Sequence, residues 1–118
     1  MGIFRRLSRR LLETDEERLA SSVTDWACTV PEAIRIDEAP TRSRVRVAGV
    51  VNRISVVPGQ TGDSLEAVIT DGTGEIVAMW TGRRAIPGMF LGTRMVVDGV
   101  LVQGSGVRKM VNPVFEFA

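Results

Sequence analysis

Histidine and tyrosine are absent from this 118-residue chain, and cysteine occurs once, as Cys28. Without histidine, the commonest acid–base catalyst is missing. A single cysteine excludes a disulfide within the chain, and without histidine it leaves little from which to build a zinc site. Aromatic residues make up 5% of the chain, so few rings exist on which a nucleobase could stack. Charge of one sign is also lacking, since the formal net charge is +1. A strongly basic chain would announce nucleic acid by charge alone, and this one does not. No apolar run approaches the roughly 20 residues of a membrane span. The start, Met1-Gly-Ile-Phe-Arg-Arg-Leu, carries arginines but no apolar signal-peptide core, so a cytoplasmic protein is expected.

What remains is an ordinary globular composition, 44% hydrophobic and 25% charged, at a length that suits one domain. The charge is split along the chain. Residues 1–43 hold seven arginines against eight acids, while residues 44–118 hold seven arginines and Lys109 against six acids. Arginine can pair with phosphate and stack on a base, although the same bias follows from the codons of a GC-rich genome.

Two periods divide the sequence. Ile3, Phe4, Leu7, Leu11, Leu19, Val23 and Trp26 recur at helical spacing, with Arg5, Arg6, Arg9 and Arg10 mostly on the other side. Thr14 to Glu17 fits a capping box. The reading is either a short basic helix to Leu12 and a second from Asp15 to about Trp26, or one continuous helix. Pro31 and Pro40 bracket an irregular connector. From Arg44 onward residues alternate and β-branched side chains dominate, which gives five strands at about 44–57, 64–71, 75–81, 93–102 and 107–117. Asp71-Gly72-Thr73-Gly74 and Gln103-Gly104-Ser105-Gly106 read as hairpin turns. Five short strands with open edges are unstable as a flat sheet, and closure into a barrel removes the edges. Gly49 fits the bend that lets a long first strand serve both halves of that barrel. The expected organisation is a helical segment and connector over 1–41 and a barrel over 42–118.

Val45-Arg-Val-Ala-Gly-Val-Val, Leu65-Glu-Ala-Val-Ile-Thr-Asp-Gly-Thr-Gly-Glu-Ile and Asp98-Gly-Val-Leu together resemble the OB-fold pattern of anticodon-binding domains in class II aminoacyl-tRNA synthetases. The stretch Gly106-Val-Arg-Lys-Met-Val-Asn-Pro is similar to the end of the wedge domain of RecG helicase. The whole layout, including Trp80-Thr-Gly-Arg-Arg-Ala-Ile-Pro-Gly and Asn112-Pro113, resembles short actinobacterial proteins described as OB-fold nucleic-acid-binding. The resemblance implies a mainly β, five-stranded OB-fold Greek-key barrel after one or two N-terminal helices.

In an OB fold the ligand face is formed by strands 2 and 3. Here it holds either Glu66, Val68 and Thr70 or Leu65, Ala67 and Ile69, with either Val77 and Met79 or Ile76, Ala78 and Trp80 beside them. Trp80 is either a stacking platform or a barrel plug. Arg83 and Arg84 follow it on a loop that could hold phosphates. Arg46 and Arg53 on the first strand, and Arg108 and Lys109 on the last, could line the same groove. The candidate nucleic-acid-binding set is therefore Arg46, Arg53, Val68, Thr70, Met79, Trp80, Arg83, Arg84, Arg108 and Lys109. Asp63, Glu66, Asp71, Glu75 and Asp98 lie mostly at strand ends or turns, where carboxylates are solvated, so neither a metal nor another cofactor is expected.

The expected function is non-catalytic binding of single-stranded DNA or RNA, with modest, salt-sensitive affinity. The alternative is a protein-interaction or assembly module that uses the basic amphipathic stretch 2–12, alone or as a homo-oligomer, together with the barrel face. Cys28 has no evident activating partner, and nothing else suggests an enzyme.

Overall fold

The long first strand, β1 (Ser43–Val57), serves two partners in turn. Its first half runs antiparallel to β4 (Arg94–Gln103), with Ser43 opposite Leu101 and Val50 opposite Arg94. Its second half pairs antiparallel with β2 (Ser64–Thr70), from Val50 opposite Thr70 to Val57 opposite Ser64. The hand-over falls at Val50, next to Gly49. A Cβ on Gly49 would lie 2.6 Å from the Thr70 carbonyl oxygen and 2.7 Å from Ile69 Cγ2, so only glycine lets β1 and β2 approach at the corner. β2 continues through the Asp71–Gly74 turn into β3 (Glu75–Thr81). β3 runs parallel to β5 (Arg108–Val111), and β5 pairs with the end of β4. The ring β1-β2-β3-β5-β4-β1 is thereby closed, which is the five-stranded OB-fold barrel. The computed structural model describes residues 17–118.

The expected fifth strand is broken in two. Asn112 takes a φ of 52°, and Pro113 has no N–H for a ladder, so β5 stops at Val111. A separate strand, β6 (Val114–Phe117), then lies antiparallel along the first half of β4.

The barrel interior follows from alternation. Val45, Val47 and Val51 of β1 point in, with Leu65, Ala67, Ile69, Ile76, Ala78, Met95, Val97, Leu101 and Met110 from the other strands. A register shift between Val51 and Arg53 then resets the phase, so that Ile54 packs on the core and Arg53 and Ser55 face out. Trp80 fills the barrel beside Ile86 and Met89 of the β3–β4 connector. At the other end sits Ile36, fully buried, at the head of the 3₁₀ turn Ile36–Glu38. Its N–H donates to Asp71 Oδ2 at 2.9 Å. Asp71 Oδ1 accepts from the N–H of Thr73 and Gly74 and from the Thr73 hydroxyl. This carboxylate is 2% exposed, and every hydrogen bond it makes holds turn and plug together. The connector between Pro31 and Pro40 is thus the barrel's plug. Beside it, the Asp37 carboxylate hydrogen-bonds the Arg35 guanidinium and raises its pKa above the ordinary arginine value.

The helix α1, seen over residues 17–27, leans on the outside of the barrel. Thr24 Oγ1 donates to the Asp71 carbonyl oxygen at 2.7 Å, and the Arg94 guanidinium stands 5.1 Å from the Trp26 ring centre. Val23 and Trp26 are half-buried, as expected of a packed face, but Leu19 is exposed. The basic stretch 2–12 and the Thr14 cap lie outside the described residues. No helix among the described residues is long and apolar enough to cross a membrane.

Candidate nucleic-acid interface

Strand pairing settles the register that the sequence left open. Leu65, Ala67 and Ile69 face the core, and so do Ile76, Ala78 and Trp80. Glu66 and Val68 of β2 and Val77 and Met79 of β3 therefore make the outward face. Two cross-strand rows result. One runs Arg53, Val68, Val77, Lys109, and the other Ser55, Glu66, Met79. Arg53 and Lys109 stand three strand spacings apart, about 14 Å along the sheet. Between them the floor is apolar and half-buried. Val111 of β5, 48% exposed, extends it next to Met79.

The charges on this face are unequal in freedom. Arg53 is exposed and takes part in no ion pair among the described residues. Arg83, on the connector after β3, is likewise exposed and unpaired among the described residues. Arg84 Nε lies 3.1 Å from Asp63 Oδ2, a loose surface pair that bridges the two loops at this end of the sheet. Lys109 Nζ donates to Glu66 Oε1 at 3.0 Å.

Four expected site residues belong elsewhere. Trp80 is 4% exposed, its indole N–H donates to the Pro113 carbonyl at 3.1 Å, and its ring meets Phe115 edge-on. No base can stack on a ring held inside, so Trp80 plugs the barrel and is not a stacking platform. Arg46 lies on the first half of β1, on the β4–β6 side of the barrel. It donates to the Pro31 carbonyl and pairs with Glu116, and Asp98 is nearby. Arg108 points away from Lys109 and donates to the Ala39 carbonyl at 3.0 Å, which ties the plug to β5. Thr70 is committed to the turn, its hydroxyl donating to the Gly74 carbonyl and accepting from the Gly72 N–H. The structure thus gathers Arg53, Val68, Met79 and Lys109 on one face, with Arg83 and Arg84 at its end.

Sequence reasoning assigned no role to Glu66 within this face or to Asp71 under the plug. It also gave no sign of an apolar cleft of about 700 Å³ between α1 and the barrel corner, lined among others by Leu19, Val23, Val50 and Leu91. The residues of that cleft come from α1, three strands and two connections between strands, so no local pattern marks it.

No family model matches the chain. It is 30% identical, over 79 residues, to a cytochrome c-type biogenesis protein, CcmE, of Cellvibrio japonicus. That match covers 66% of this chain and 50% of the relative, so the chain spans about half the length of the protein it matches. A solved structure of RecG bound to a three-way DNA junction superposes with a TM-score of 0.61 at 16% identity. It covers 73% of this chain and 12% of the RecG chain, a likeness of fold.

Proposed function

We propose that this protein is a non-catalytic OB-fold module that binds single-stranded DNA or RNA on the outward face of β1, β2, β3 and β5. The observation that carries this reading is the row Arg53–Val68–Val77–Lys109, an apolar floor with a cation at each side. Arg83 and Arg84 extend the positive rim at the end of β3. The likeness in fold to a DNA-bound RecG supports the choice of ligand class. With no exposed ring on the face, binding relies on phosphate contacts and apolar packing. Affinity is then modest and falls steeply with salt. A fluorescence titration with a labelled single strand tests this. Binding in the micromolar range at low salt, lost on adding salt, is expected, and no signal change up to high micromolar protein overturns the reading.

A second reading, a protein-interaction module, draws on the exposed Val100, Val102 and Val111, which continue the floor around the barrel. It predicts a mass above the monomer in solution, and a monomer at high concentration counts against self-assembly.

A further inference from the structure

An acid at the centre of a phosphate-binding face needs a reason. Glu66 is that acid, opposite Ser55 on one side and Met79 on the other. Its only ion-pair partner among the described residues is Lys109, two strands away, so the Glu66–Lys109 bond passes over β3, where Val77 and Met79 point outward. The two side chains are 23% and 30% exposed. The pair is part-buried but still reaches solvent, so a phosphate arriving on the face can compete with Glu66 for Lys109. A carboxylate next to a bound strand also repels its phosphates, and it does nothing for the core, where Asp71 already anchors turn and plug.

We infer that Glu66 is the specificity-determining residue of this face, selecting strands whose bases carry an exocyclic amino group over thymine or uracil; the inference rests on the single-strand reading above. When Lys109 turns to a phosphate, Glu66 is left as an acceptor-only group beside the apolar floor that takes the flat of a base. Cytosine offers an amino group to such an acceptor. Thymine and uracil present one ring N–H flanked by two carbonyl oxygens, which repel a carboxylate. The acid therefore trades total affinity for choice of base.

The test is an anisotropy titration of the full chain with labelled deoxycytidine and deoxythymidine strands of about 12 nucleotides. The cytidine strand should bind on the order of tenfold more tightly. Glu66→Gln should bring the ratio near one, chiefly by tightening the thymidine strand, because the amide keeps the shape and loses the charge. Lys109→Met should weaken both strands by one factor and leave the ratio in place. Equal affinities in the unaltered protein, or a ratio that survives Glu66→Gln, overturn the role of Glu66 while leaving the binding face intact. If neither strand binds either the unaltered protein or the Glu66→Gln variant, the face itself is wrong and this inference falls with it.

Discussion

The two halves of β1 carry their arginines into different surroundings. Before Gly49, Arg44 and Arg46 face β4 and β6. Arg44 Nε stands 2.8 Å from Asp98 Oδ1, too far off line for a hydrogen bond, and Arg46 holds Glu116 and the Pro31 carbonyl. After Gly49, the register shift turns Arg53 outward among Val68 and Val77, where it joins no ion pair among the described residues because the nearby Glu66 is held by Lys109. Evenly matched charge on the first half serves the fold. An unmatched cation over an apolar floor on the second half leaves interaction energy for a ligand. Residues on the scaffold side should therefore cost stability and spare binding, and residues on the face should do the reverse.

The largest effect should come from the corner that separates the halves. Gly49→Val drives side-chain carbon into the Thr70 backbone, with a cost of about 3 kcal/mol or more, enough to unfold much of a marginally stable domain. Urea denaturation followed by circular dichroism measures it; an unchanged midpoint would mean that the corner is not a close contact. Asp71→Ala comes next. It strips the buried N–H of Ile36 and the part-buried N–H groups of Thr73 and Gly74 of their acceptor, at about 3 kcal/mol. The same denaturation experiment reads it, and strand affinity of the folded fraction should not move.

The alternation from Arg44 onward and the glycine turns revealed the barrel, because a closed sheet is written in local periods and punctuation. Gly49 also stood out locally, as a glycine inside a β-branched run. The face was less legible. Arg46 and Arg53 look alike in sequence, and only the pairing of β1 first with β4 and then with β2 sends them to different sides of the barrel. Trp80 sits at a strand end, where sequence allows either exposure or burial; the Pro113 carbonyl that receives its N–H arrives 33 residues later. The break of the last strand at Asn112 was half visible, since proline marks the stop but not the new pairing of β6 with β4.

Smaller effects separate plug from platform. Trp80→Phe loses one hydrogen bond and some core volume, so it should lower stability by about 1–2 kcal/mol and leave strand affinity unchanged. A matching loss of affinity would return the ring to the ligand face. Arg46→Ala should cost up to about 1 kcal/mol in urea denaturation, the value of a partly exposed pair.

The measurement that bears most directly on the binding face is the salt dependence of single-strand affinity in the unaltered protein, Arg53→Ala and Arg46→Ala. The predicted outcome is a negative slope of log affinity against log salt that becomes shallower by about one ion on removing Arg53 and is unchanged on removing Arg46. Equal slopes in all three proteins, or no binding at low salt, would contradict it.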